Sequence, residues 1–298
     1  MTDRSPLVAR VAAPAVAIET AFLTSGLPVD QRLIAAERMA DATRGGGVVP
    51  AFIGVIAGRP IVGLERDEIE LLARQDAKLS TRDLPAALAR RAHGGTTVAA
   101  TVFLAQRAGL TVVATGGIGG VHVGHGLPET LDVSADLNEL GRTRVVLVCS
   151  GAKAIVNLRA TLERLETLGI AVVGYGTDEL PAFWSAASGL RLATRVDSAE
   201  QVAEIWHAAR EIAAPGALLV CVPPPADVAL SRDETERAVS RTLSDLDMAG
   251  VTGPAVTPFM LARIAEHTGG RSLEANLGLL ANNAGVAASI VTALEAQA

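Results

Sequence analysis

The sequence predicts an α/β fold: a three-layer α/β/α arrangement with a central mixed sheet and a helical C-terminal part. Three observations carry this. Short apolar runs of strand type alternate with helical patterns, which argues for helices on both faces of a sheet. Gly58-Arg59-Pro60 separates the apolar stretches 48–56 and 61–63, turn chemistry that makes a hairpin there and a sheet that is not purely parallel. Beyond Pro223-Pro224-Pro225 only helical patterns remain.

Taken in order, residues 15–18 form a first short strand, and Asp30 is placed to cap a helix running to about Thr43. The hairpin follows. Residues 82–91 are amphipathic, 96–107 form a more apolar helix, and 110–114 a strand that runs into the loop Gly116-Gly117-Ile118-Gly119-Gly120. Residues 144–149 are a strand closed by a Ser150-Gly151 turn. A helix over 158–168 ends at Gly169, and 170–173 is the next strand. Ser198 caps a helix over 198–212, and 217–222 is the last strand. Helices over about 232–247, 258–267 and 272–296 complete the chain. No repeat of 20–50 residues and no low-complexity linker divides it, so 1–298 reads as a single domain.

Composition narrows the function. The chain has 298 residues, 49% of them hydrophobic, which excludes general disorder, and only 3% aromatic, so packing rests on Ala, Val, Leu and Ile. The net charge is −6, with no basic tract and no aromatics interleaved with cations, so nucleic acid is not an expected partner. Residues 1–14 lack the apolar core of a signal peptide. The stretch nearest to a membrane span, 279–294, carries Asn282 and Asn283 and reads as a buried helix. A cytoplasmic protein is expected. Cys149 and Cys221 each end an apolar strand and read as buried thiols, not as a disulfide framework.

Of the 26 basic residues, only Lys78 and Lys153 are lysines. Arginine stays charged, whereas lysine can lose its proton and act as an amine nucleophile, so two lysines in an arginine-rich chain invite an amine-specific role. Lys153 lies three residues beyond the turn at Ser150, among apolar neighbours whose desolvation would lower its pKa. Lys78 lies in the polar run Lys78-Leu79-Ser80-Thr81-Arg82-Asp83, suited to anchoring an anion. The alternative for either is a solvated surface charge. Glu19 follows an apolar strand, where an acid facing a site can have a raised pKa and act as a general acid; an ordinary surface glutamate is the competing reading.

The glycine loop does not satisfy G-x-G-x-x-G, because the required glycines fall on Val121 or His122, and no lysine completes a Walker loop. What remains is a loop at a strand end, where backbone N–H groups can hold a phosphate or where a tight turn packs on a helix. His122 and His125 lack the partners of a zinc site. Asp132 and Asp136 suit Mn²⁺ or Mg²⁺; equally, Asp132 or Ser134 can cap a helix beginning near Ala135.

Several longer motifs then occur together. They include Lys78-Leu79-Ser80-Thr81-Arg82-Asp83-Leu84-Pro85, Gly95-Thr96-Thr97-Val98-Ala99, and Ala114-Thr115-Gly116-Gly117-Ile118-Gly119-Gly120-Val121-His122. Asp132-Val133-Ser134-Ala135-Asp136-Leu137, residues 149–153, Gly174-Tyr175-Gly176-Thr177-Asp178-Glu179 and Asn282-Asn283-Ala284 follow in the same order. On these motifs the chain resembles the pseudouridine-5′-phosphate glycosidases, a family that includes the indigoidine synthase A-like proteins. The resemblance implies an α/β/α fold, a homotrimer, a divalent ion (Mn²⁺, or Mg²⁺), and reversible cleavage of pseudouridine 5′-phosphate to uracil and ribose 5-phosphate. It implies Lys153 as the imine-forming nucleophile, Glu19 as proton donor and Asp132 as metal ligand through ordered water. It also implies Lys78, Val98 and Ser134, Ala135 and Asp136 as substrate-binding positions, with Thr115, His122 and Asn276 as further contacts.

Two departures bear on the acceptor. The family's Glu-Ser-Thr-Ile-Ile-Ser-His-Gly-Met-Pro reads here Glu19-Thr20-Ala21-Phe22-Leu23-Thr24-Ser25-Gly26-Leu27-Pro28, with Ser25 in the histidine's place, and the loop 125–131 is about two residues longer. The alternative within the family is a C-glycosynthase joining ribose 5-phosphate to an aromatic acceptor. From another class, the alternative is a sugar-phosphate-binding protein without catalysis.

Overall fold

The computed structural model describes residues 6–122, 132–251 and 256–297. Strands β1 (Val8–Ala9) and β2 (Ala15–Ile18) lead into a wide π-type turn (Phe22–Gly26) and α1 (Val29–Gly45). The hairpin β3 (Val49–Ile56) and β4 (Arg59–Val62) precedes α2 (Arg66–Leu72), β5 (Lys78–Leu79), α3 (Leu84–Ala89) and β6 (Gly94–Thr96). Then come α4 (Val98–Arg107), β7 (Val112–Ala114), β8 (Val121–His122), α5 (Ala135–Leu140), β9 (Val146–Cys149), β10 (Val156–Asn157) and α6 (Leu158–Thr167). β11 (Ala171–Tyr175), β12 (Arg195–Val196), α7 (Ala199–Glu211) and β13 (Leu218–Cys221) complete the α/β part; α8 (Arg232–Ala249), α9 (Val256–His267) and α10 (Arg271–Ala296) follow.

The main sheet runs β1-β4-β3-β2-β7-β9-β13-β11-β12, with β6 and β5 branching from β3. From β3 through β12 every neighbouring pair is parallel, and the antiparallel pairs involve the hairpin β3–β4 and the β3–β6 branch. The sheet is thus mixed, as the turn at Gly58 predicts; Ala57 and Gly58 take left-handed backbone there (φ 48° and 74°). The chain leaves β2 for β3 on one side and resumes at β7 on the other. The carboxyl ends of β2 and β7 therefore flank a topological switch point, where open α/β sheets bind ligands.

Helices cover both faces, α1 and α10 on one and α4 on the other. The scarcity of aromatics has a visible counterpart in the packing. The α10 face toward the core is largely Ala and Leu, and a side chain at Gly46 would meet the Ala288 Cβ at 2.7 Å, so α1 and α10 approach closely. α10 is long and apolar enough to meet the length and hydropathy criterion for a membrane span, yet its buried residues pack against β2, β7 and β9. Cys149 and Cys221 are fully buried partners in register on β9 and β13, free thiols as read from sequence.

Several boundaries differ from expectation. Asp30 is not a cap: Pro28 holds the N-cap position, and Asp30 sits in the first turn, where its charge favours the helix dipole. The 82–91 stretch shortens to α3 behind a 3₁₀ turn (Thr81–Asp83), because Pro85 sets the helix start. α2 is unanticipated; its start is fixed by the Glu68 carboxylate accepting from the Glu65 N–H at 2.8 Å. Ser198 caps α7 as predicted. The 125–131 insertion and His125 lie outside the described residues.

One buried amide joins the layers. Asn283 on α10 donates from Nδ2 to the Thr115 carbonyl (2.8 Å) and the Gly116 carbonyl (3.3 Å), and its Oδ1 accepts from Ser150 Oγ (3.2 Å). Its loss leaves buried polar groups of two strand ends unpaired. Asn283→Ala is expected to cost about 2–3 kcal/mol, seen as a lower denaturation midpoint at unchanged m-value. A change below about 0.5 kcal/mol would show that the amide is not structural.

Candidate active site

The carboxyl ends of β2, β7 and β9 open into a cleft of about 480 Å³. Every residue singled out from sequence lines it except Val98 and Thr115. Those two stand immediately behind its wall, 1% exposed each. Val98 begins α4 next to the cleft-lining Thr97, so its contribution is the backbone of a helix N-terminus. Thr115 directly follows β7 and donates from Oγ1 to Glu19 Oε2.

Glu19 leaves β2 with its N–H bonded to the Ala114 carbonyl (3.2 Å), and only 5% of the residue is exposed. Burial raises its pKa above the usual carboxylate range. Lys153, the Thr115 hydrogen bond and Lys78 pull it back, while Asp136 adds to the rise. A carboxyl biased toward its protonated form beside two amines has the properties of a proton donor.

Lys153 is held by backbone lacing between two strand-end loops. Its N–H donates to the Ile118 carbonyl (3.0 Å), and the Ile118 N–H donates to the Gly151 carbonyl (3.1 Å). Gly151 is required there: its φ is +77°, and a Cβ would lie 2.1 Å from the Pro181 carbonyl oxygen. Lys78, on β5, is reachable from the cleft, yet desolvation by the surrounding wall lowers its pKa, and the charge of Lys153 lowers it further. Neither lysine forms an ion pair or hydrogen bond through its ammonium among the described residues. Both are thus available to a ligand.

The glycine loop is both a packed turn and a cleft wall. At Gly119 a Cβ would collide with Ser134 Oγ at 2.3 Å, so the loop can lie this close to the start of α5 only as glycine. Asp136 fastens it: Oδ2 accepts from the Gly119 N–H and Oδ1 from the Ala99 N–H, each at 2.9 Å. The Asp136 carboxylate therefore clamps the loop to the α4 N-terminus. Ser134 is the cap of α5, its Oγ accepting from the Asp136 N–H at 3.2 Å. The helix-cap reading of Ser134 holds, and Ser134 lines the cleft as well.

Asp132 differs from both buried acids. Its side chain is 60% exposed and approaches His122, Oδ1 to Nδ1 at 3.2 Å. No group of three or more His, Cys, Asp or Glu forms a closed metal cage among the described residues. One exposed carboxylate on the cleft wall fits a hydrated hard cation, which keeps waters instead of taking an all-protein shell.

Sequence reasoning did not single out Phe22, Thr97, Asn138 or Phe183 on the cleft wall, nor Asn283 behind it. Phe183 packs where a Cβ of Gly117 would be, 2.7 Å from its Cδ2, so the glycine at 117 is the only trace of it in the loop motif.

Known proteins resemble the chain over nearly its whole length. The family model described as indigoidine synthase A like protein matches residues 8–293. A pseudouridine-5′-phosphate glycosidase of Chloroflexus aurantiacus is 50% identical over 281 residues, 92% of each chain. One of Nocardioides is 44% identical, over 97% of this chain and 94% of its own. Among solved structures, an indigoidine synthase A-like protein of Thermotoga maritima superposes with a TM-score of 0.89 at 37% identity, covering 98% of this chain and 97% of that one. The prealnumycin C-glycosynthase AlnA, in complex with ribulose 5-phosphate, superposes with a TM-score of 0.87 at 35% identity, covering 97% and 98%. The chain belongs to the indigoidine synthase A-like family, alongside proteins named pseudouridine-5′-phosphate glycosidase.

Proposed function

We propose that the protein is an enzyme that breaks and forms the C-glycosidic bond of a ribose 5-phosphate unit, interconverting pseudouridine 5′-phosphate and water with uracil and ribose 5-phosphate. The observation that carries this is the meeting of the chain's only two lysines with a buried, proton-biased glutamate in one cleft. A carbon–carbon bond has no lone-pair-bearing leaving atom to protonate, so the paired-carboxylate scheme of O-glycosidases does not apply. An imine supplies the electron sink instead.

In the cleavage direction Glu19 gives its proton to the ring oxygen as the sugar C1–O bond opens, and Lys153 Nζ, reacting as free amine, bonds to C1. The C–C bond then breaks with its electron pair going to the base carbon, which takes up a proton, while nitrogen and C1 become the imine. Water hydrolyses the imine, releasing ribose 5-phosphate and restoring the amine. Lys78, the glycine-loop backbone and the start of α4 hold the phosphate, binding energy supplied away from the reacting carbon. Asp132 would hold a hydrated Mn²⁺ or Mg²⁺, whose charge would neutralise substrate oxygens. The aromatic-acceptor reaction is the second reading. It is favoured by Ser25 on the cleft wall and by the likeness to AlnA.

Lys153→Arg keeps the charge and is expected to keep the fold while turnover of pseudouridine 5′-phosphate falls by about 10³-fold or more. Retained activity would remove Lys153 as nucleophile. The Thr115 hydrogen bond stabilises ionised Glu19, so Thr115→Val raises the glutamate's pKa further. Because the donor must be protonated, the alkaline limb of the kcat/KM profile moves to higher pH. A shift to lower pH would contradict the assignment. Asp132→Asn is expected to weaken activation by Mn²⁺, read as a higher half-saturating metal concentration, with circular dichroism unchanged.

A further inference from the structure

Among the described residues, four other than glycine adopt left-handed backbone: Ala57, Arg91, Phe183 and Ala213. Three of them are exposed and follow from local motifs. Ala57 turns the β3–β4 hairpin, and Arg91 and Ala213 directly follow the C-caps of α3 and α7. Phe183 differs: it is 5% exposed and lines the cleft. It takes the first central position of a two-residue turn, closed by the Ala182 N–H donating to the Ser185 carbonyl (2.9 Å) and the Ser185 N–H donating to the Ala182 carbonyl (3.3 Å). Its φ is +62°, and a position with positive φ in such a turn favours glycine. A bulky residue holds that conformation only where its surroundings impose it, and such residues cluster at functional sites.

The ring fills a hollow that two glycines leave. A Cβ on Gly117 would lie 2.7 Å from Phe183 Cδ2 and 2.9 Å from Cε2, and one on Gly116 would lie 3.4 Å from Cε2. The Trp184 ring meets it edge to face, with centroids 5.1 Å apart. The main chain of the same turn is bonded elsewhere. The Phe183 N–H donates to the Ser150 carbonyl at 3.1 Å, and Ala182 pairs with Gly151. The Phe183 side chain thus rests on the loop after β7, while its backbone is fastened to the turn after β9 that carries Lys153.

We propose that Phe183 is a positioning residue for Lys153: its ring wedges the glycine loop against the nucleophile's turn and so sets the distance from Nζ to C1 of the bound sugar. A nucleophile misplaced by about 1 Å loses about 10²-fold in rate. The far side of the glycine loop is fastened separately, by the Gly119 N–H donating to Asp136 Oδ2 at 2.9 Å, and Lys78 stands on another element. Loss of the ring therefore acts on the rate more than on binding. This rests on the imine reading given above.

The test compares the full chain with Phe183→Leu and Phe183→Gly. Turnover of pseudouridine 5′-phosphate gives kcat and KM. Borohydride quenching at timed intervals, with ribose 5-phosphate, gives the rate of adduct formation on Lys153; this rate needs no acceptor and so reads the role of Phe183 whichever acceptor is used. Phe183→Leu keeps apolar bulk without the ring. Phe183→Gly suits the left-handed backbone and serves should leucine disturb the fold. Both are expected to lower kcat and the adduct rate together by about tenfold or more, with KM within about threefold. A residue that serves the fold alone would move the denaturation midpoint and leave both rates unchanged in the folded enzyme. That result in either variant, or a loss confined to KM, overturns the positioning role while leaving the imine reading in place. A wild type that turns over with no adduct on Lys153 overturns the imine reading and the positioning role with it.

Discussion

Adjacent parallel strands β2 and β7 end where the chain diverges, and there the Thr115 hydroxyl donates to the buried Glu19 carboxylate. The rest of the site is arranged around that contact. Polar groups at a buried strand end cost free energy unless paired, and Asn283 supplies the pairing from the far face of the sheet. The same amide also holds Ser150, immediately ahead of Gly151-Ala152-Lys153. Glu19, through Thr115, and Lys153, through the Ser150 turn, are thus tied to one helix by a single side chain.

The second organising device is backbone proximity. Gly119 lets the loop rest on Ser134, Asp136 then ties that loop to the start of α4, and Gly151 lets the Lys153 turn fold beneath Pro181. Each contact uses a missing Cβ or a main-chain N–H. Besides Arg82 the cleft holds two cations, Lys78 and Lys153, with no ion-pair partner among the described residues; desolvation lowers the pKa of Lys78, and the charge of Lys153 lowers it further. An anionic ligand between the two lysines would relieve their repulsion.

Much of this was legible in the sequence because local signals carried it. Apolar runs located β2, β7, β9 and β13, and the rarity of lysine drew attention to both amines. Long-range polar contacts were not legible. Asp136 reads in sequence as an oxygen ligand, but its two partners, at positions 99 and 119, become neighbours only through the sheet. Asn283 reads as an interruption in an apolar helix, since its partner at Thr115 is 168 residues away. α2 escaped notice because its seven residues open on charges, and its start depends on a side-chain bond, not on periodicity. Nor does composition show that Phe183 adopts left-handed backbone, a conformation imposed by its contacts with Gly117 and Ser150.

Because the chain has only two lysines, covalent chemistry on an amine can be mapped without ambiguity. Borohydride reduction of the wild-type enzyme in the presence of ribose 5-phosphate, followed by peptide mass mapping, tests the central claim directly. The account predicts a reduced sugar-phosphate adduct on the peptide containing Lys153 and none on the peptide containing Lys78. No adduct, or an adduct on Lys78 alone, would contradict it.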